Sequence, residues 1–166
     1  MMMLERPWSE LLVMLMGATP LIELRGAIPL GLALNLNLGT SLIFALIGNS
    51  LVIPIVLLLL PRIIQWCEGW PPFERFWEAL ERRVRLKGEA TVQRYGAIGL
   101  GIFVAIPLPG TGAWAGAALA VILGIRRRYA LPSIGFGVLT AGILVALIAG
   151  GVLAGFQGLV LKEISL

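Results

Sequence analysis

Glu23 and Arg25 lie inside the otherwise apolar stretch Leu15–Leu30, which carries Pro20 and Pro29. Insertion scales put one ionisable group in hydrocarbon at roughly 2.5–3.5 kcal/mol, so a chain that keeps two of them there puts them to use. A guanidinium is shaped to bind an anionic head group through paired hydrogen bonds. A carboxylate beside it serves as counter-charge or as proton carrier. On a regular helix, residues two apart do not face each other. In an unwound segment between the two prolines they could pair, pinning the segment, or each could take a different partner. Gly26 follows directly and leaves the backbone beside Arg25 uncovered.

A second stretch, Ile102–Trp114, has the same apolar and proline-rich character but no charge. Its centre, Pro107-Leu-Pro-Gly-Thr-Gly112, offers backbone instead. Gly110 and Gly112 allow main-chain N–H groups to approach a ligand, and the following helix would aim its N-terminus at the same place. Pro107 and Pro109 are equally the chemistry of a plain tight turn. Thr111 adds a hydroxyl that either meets a ligand or caps the helix. Trp114 reads as a cavity wall or as core packing. Asn49, in a different apolar segment, is a candidate for a ligand contact or for a hydrogen bond between helices.

The elements that must position these residues follow from composition. The chain is 58% hydrophobic and 13% charged, with mean hydropathy +0.94, which reads as an integral membrane protein. The pI near 10 reflects basic residues clustered beside apolar segments, so it points to membrane topology and not to nucleic acid. There is no His and no Asp, and Cys67 is the single cysteine. His-centred acid–base chemistry, most zinc sites and a Ser-His-Asp arrangement are thereby excluded. With no Walker-type phosphate loop either, we expect no enzyme, no metal and no cofactor. The N-terminus lacks a basic leader and a cleavage site, so it reads as mature protein.

Four apolar blocks, 11–38, 40–60, 95–125 and 131–161, each hold the roughly 20 residues that cross a bilayer. The second and fourth read as plain spans. The first and third are broken by proline and glycine into halves of about 12 residues, or about 18 Å of helix. Each half reaches the midplane and returns, which is a re-entrant hairpin whose tip must be shielded or line a wet cavity. Charge placement agrees. The polar insert 61–94 and the cluster Arg126–Arg128 together hold ten of the 13 Lys and Arg residues. Both lie on one face only if the third block re-enters, and the positive-inside tendency makes that face cytoplasmic, with both termini outside.

The expected fold is therefore an all-α integral membrane protein of two inverted repeats in one membrane domain. Each repeat is a re-entrant hairpin followed by a transmembrane helix, a pattern in which transporters hold substrate at the midplane. Arg25-Gly-Ala-Ile against Thr111-Gly-Ala-Trp is the visible internal similarity. Within the cytoplasmic insert, Phe73, Phe76, Trp77, Leu80 and Val84 make one stripe of an amphipathic helix suited to an anionic membrane surface, with Glu78/Arg82 and Glu81/Arg85 as pairs. Gly112-x-x-x-Gly116 and Gly151-x-x-x-Gly155 allow close helix contact, and so short a chain is expected to form a homodimer.

Glu23-Leu-Arg-Gly-Ala-Ile-Pro29 and Ile106-Pro-Leu-Pro-Gly-Thr-Gly-Ala-Trp114 resemble the small multidrug export protein family, distant kin of the DedA and VTT-domain membrane proteins. The resemblance covers roughly Leu11–Phe156. It implies two inward-facing re-entrant hairpins, and Glu23, Arg25 and the Pro107–Gly112 turn are the matching positions. DedA relatives are associated with moving lipids, including undecaprenyl phosphate. This chain is shorter than DedA proteins and lacks a charge at its second tip. The expected function is translocation of an anionic lipid such as polyprenyl phosphate in the cell membrane. The alternatives are a proton-coupled multidrug exporter working through Glu23 and a membrane scaffold that transports nothing.

Overall fold

The computed structural model describes residues 2–108 and 110–164, and side-chain surroundings for 6–108 and 110–152. Among the described residues all regular structure is helical: α1 (Met2–Ala18), α2 (Glu23–Ala33), α3 (Leu38–Cys67), α4 (Pro71–Ala105), α5 (Ala113–Ile122) and α6 (Arg127–Ile164). Two of them, Leu38–Cys67 and the described part of α6, Arg127–Val152, are long and apolar enough to cross a membrane. As helices, α3 (Leu38–Cys67) and α6 (Arg127–Ile164) extend past the expected spans 40–60 and 131–161 at both ends.

Each long helix is entered the same way. α2 ends in a Schellman motif in which Asn35, at φ 60°, donates to Leu32 O while Leu36 N donates to Gly31 O. α5 ends in the same motif, with Gly124 at φ 66° donating to Val121 O and Ile125 N to Ala120 O. The first turn leads straight to Asn37, whose side chain accepts from Thr40 N at 2.7 Å and so caps α3.

α3 and α6 run antiparallel, because Gly142 comes against Leu42 and Leu46 while Gly150 comes against Leu38. The C-terminal end of α3 and the N-terminal end of α6 therefore share one end of the bundle, with Arg62 and Arg126–Arg128. α1 crosses α3 where glycines permit it. A Cβ at Gly17 would stand 2.8 Å from the Ala45 carbonyl oxygen, and one at Gly48 would overlap the Met14 carbonyl.

The expected unwound stretch between Pro20 and Pro29 is shorter than the prolines suggest. Only residues 19–22 leave the helix, and Pro29 sits inside α2. Helix is kept there because the lost N–H removes one bond, whereas the packed neighbours Leu24, Ala27, Ile28 and Gly31 hold α2 in place. The second break takes in 106–108 and 110–112, as the prolines and glycines there predict.

The polar insert differs from its expected bounds at its first end, where its residues continue α3 to Cys67. At its other end α4 breaks at Gly96, close to the expected boundary, so its two arms are the insert's helix and the first arm of the second pair of helices. Gly96, at φ 60° and ψ −136°, turns the chain sharply inside α4 and brings Gly99 against the Thr91 carbonyl. That backbone conformation is open to glycine alone. The ion pair expected between Glu81 and Arg85 forms at 2.8 Å, and Arg85 continues to Glu89 at 2.9 Å. Of the small-residue pairs expected to allow close helix contact, Gly112 and Gly116 are used within this chain. Gly116 lies against Val104 and Ile134, while Gly155 lies outside the described side chains.

Candidate functional site

The breaks between α1 and α2 and between α4 and α5 meet, and each supplies what the other lacks. The N-terminus of α5 has free N–H groups and a glycine, Gly112, where a capping side chain would stand. Glu23 fills that role from the opposite break: its Oε1 accepts from Trp114 N at 3.4 Å, and only 6% of the residue is exposed. A carboxylate is also favoured there by the helix dipole. The approach depends on Gly112, since a Cβ there would overlap the Glu23 carboxylate. Glu23 itself is at φ 50°, a left-handed conformation uncommon for a side chain of its size and of the kind that gathers at functional sites.

That conformation also resolves the pairing of residues two apart. Because Glu23 is left-handed at the head of α2, its Oε2 comes 3.7 Å from Arg25 Nη1, forming a loose ion pair. Arg25 then reaches across the junction. Its Nη2 donates to Thr111 Oγ1 at 2.9 Å and to Ile106 O at 3.4 Å. The Thr111 hydroxyl lies 2.7 Å from Ile106 O and 2.8 Å from Leu108 O, so it shares its proton between them while accepting from Arg25. Thr111 braces the second break and does not cap α5. Trp114 completes the exchange, its Nε1 donating to Ala18 O at the end of α1 at 3.0 Å.

Three cavities flank this junction. The first, about 550 Å³, is lined by Arg25, Pro29, Leu32, Pro107, Val145 and Ile148 among others, and Arg25 is its one charged residue among the described ones. It lies along the C-terminal part of α6, towards the end of the bundle where α3 begins. A second, about 520 Å³, lies on the other side of the junction, walled by Val56, Leu60, Leu80 and Trp114. Glu23, Arg83 and Lys87 are its charged residues. A third, about 840 Å³, follows α4 and α6 on the bundle's outer side and shares Pro107 with the first.

Of the residues singled out in the sequence, Glu23, Arg25, Thr111 and Gly112 are in mutual contact, and Pro107 and Gly110 line the cavities. Gly26 is not at the junction surface: its N–H donates to Ile22 O and a Cβ there would strike the Ile22 side chain. Asn49 is fully buried in α3 and lines none of the three cavities. Neither amide atom has a hydrogen-bond partner among the described residues. Pro109 lies outside the described residues. The sequence underrated Trp114, whose backbone and indole N–H both serve the junction. Its one legible signal was a tryptophan two residues after a Gly-Thr-Gly turn.

A family model described as "Putative small multi-drug export protein" matches residues 23–144. The chain belongs to that family. The match begins at Glu23, just after the first break, and takes in α2, α3, α4, the second break, α5 and the first part of α6. No curated protein and no solved structure matches the chain. As a small multi-drug export protein with two helices fit to span a bilayer, the chain is consistent with a membrane exporter. That is a class that works by binding and moving its substrate and generally not by catalysis.

Proposed function

We propose that this exporter moves an anionic amphiphile, of the polyprenyl phosphate type, across the membrane through the junction of the two breaks. One observation carries the reading: three cations, Arg25, Arg83 and Lys87, against one carboxylate, Glu23, line the cavities on either side of the junction. An anion finds attraction on both sides. A cationic drug meets repulsion from at least one cation in each cavity. In the cavity where Arg25 stands alone among apolar walls, a phosphate can take over its loose pairing with Glu23, because charged hydrogen bonds at shorter range are stronger. Passage then requires the contacts of Arg25 to Thr111 and of Glu23 to Trp114 to part.

In this reading α1–α2 and the second arm of α4 with α5 are re-entrant hairpins, and the two halves are inverted repeats. The matched Schellman turns support it. The shift that carries Asn35 onto Gly124 is three residues longer than the one that sets Arg25 against Thr111 and replaces that register; it also carries Gly48 onto Gly137, Pro20 onto Pro109 and Glu23 onto Gly112. The equivalent positions Glu23 and Gly112 then meet at the centre of the molecule, where an axis relating two inverted halves would pass. We place the basic end in the cytoplasm and both termini outside. A homodimer belongs to the same reading, since residues 20–22 are exposed outside any helix at the first break, and such backbone calls for cover within the membrane.

Reconstitution in liposomes with labelled polyprenyl phosphate and, separately, a cationic dye tests the proposal. Wild-type protein should move the lipid and not the dye. Arg25→Ala should lower lipid movement at least ten-fold, whereas Glu23→Gln, which keeps an acceptor for Trp114 N, should cost less. Dye movement lost chiefly in Glu23→Gln would favour proton-coupled export of cations. Movement of neither substrate by well-folded protein would sink both.

A further inference from the structure

The cavity beside Arg25 does not end at the junction. At Pro107 it meets the apolar groove between the second arm of α4 and α6, lined by Ile98, Ile102, Ala105, Phe136, Thr140 and Leu144 among others. The groove continues down α6 to Tyr129, and the Arg128 guanidinium lies 4.7 Å from the centre of the Tyr129 ring. Taken together, cavity and groove follow α6 from Tyr129 to Val152, about 34 Å at 1.5 Å per residue. That matches the roughly 30 Å of hydrocarbon in a bilayer. One guanidinium stands at the basic end of this track and another, Arg25, in the cavity beyond Pro107. Between them the lining offers almost nothing polar: the Thr140 hydroxyl is turned back to Phe136 O, and that of Ser133 to Ala97 O.

We propose that this track holds the hydrocarbon chain of the transported anion, so that the tail stays in a lateral groove open to the bilayer while the head group passes Arg25. The inference rests on the proposed function and narrows its substrate from anionic amphiphiles in general to membrane lipids that enter sideways. Its physical ground is continuity. A site with charge at one point and an uninterrupted apolar track leading from it fits a molecule built the same way. A free inorganic phosphate would use Arg25 but none of the track. Keeping the tail in the groove also removes the need to draw a long chain through the narrow contact among Glu23, Arg25, Thr111 and Trp114.

The test uses the full chain in vesicles containing phosphatidic acid with a photoactivated diazirine on its tail, compared with phosphatidylcholine labelled in the same way. Peptide mapping should place the anionic probe on the segments 98–106 and 129–144, at least five-fold above the neutral probe. Arg25→Ala should remove that preference. Ala105→Trp and Thr140→Trp, which fill the groove without touching the junction, should lower both labelling and phosphatidic acid movement about ten-fold while the thermal melting of the protein stays near wild type. A Trp variant that melts early is replaced by Ala105→Leu or Thr140→Leu, with a graded loss expected. Equal labelling by both probes, or lipid movement at the wild-type rate in the filled variants, overturns the groove. So does efficient disulfide formation between chains by Phe136→Cys, which would make a second copy the occupant. Head-group-dependent labelling without lipid movement would sink the transport reading and keep the groove. Movement with labelling elsewhere would do the reverse.

Discussion

A Cβ at position 112 and the carboxylate of Glu23 cannot occupy the same space. Gly112→Ala must push the carboxylate off the head of α5 or open the junction, and overpacking of this kind costs about 1–3 kcal/mol. Thermal melting in detergent should show the loss. Glu23→Ala removes the group that would be struck, so the double variant should be less impaired than the sum of the two, with a coupling of at least about 0.5 kcal/mol. Additive effects would mean that the two positions do not meet. At this scale the sequence was informative about residue types and silent about partners. Two charges in an apolar stretch are visible in any reading. That Arg25 spends its Nη2 on Thr111, far along the chain, is a property of the folded molecule.

Among the elements, α4 shows where local rules stop. Its amphipathic stripe was legible, and Phe73 and Trp77 stack as the spacing implies. The stripe was expected to face lipid. Phe76, Leu80 and Val84 line the cavity on one side of the junction, which in the proposed function makes that part of α4 a wall of the transport site. The break between this stretch and the following apolar arm falls at Gly96, close to the boundary the composition marks, but the sharpness of the turn was not legible, because a lone glycine in a helical pattern is ordinarily tolerated as helix. Gly96→Ala should cost about 1–3 kcal/mol through backbone strain alone, since nothing lies within 4 Å of its Cβ position. Gly135→Ala is the control. It too has open space, but helical backbone in α6, so it should be neutral or stabilise by up to about 1 kcal/mol. A melting temperature that falls equally in both would remove the special role of Gly96.

For the whole molecule, the antiparallel α3 and α6 bring Arg62 and Arg126–Arg128 to one end, which is the arrangement the charge census required. Arg85→Cys and Arg127→Cys, each in a Cys67→Ser background, should react with an impermeant thiol reagent from the cytoplasmic side only. Labelling from opposite sides would make the third block a span and end the inverted-repeat reading. The groove along α6, the two cavities and the charge balance across the junction belong to this scale as well, since each is built from segments distant in sequence.

The sequence by itself determined what sums over neighbours. Hydropathy marked the apolar blocks, proline and glycine marked the breaks, and the basic clusters marked the ends. These are local quantities, and each acts on the chain before any contact forms. The tertiary structure decided what depends on distance between segments. It showed Pro29 held inside a helix by its packing and Glu23 in a left-handed turn beside Arg25. It also set Gly112 where a carboxylate from the other break can cap α5. A hydrogen bond or a steric overlap exists only when two parts of the chain are brought together, and packing alone fixes which parts those are.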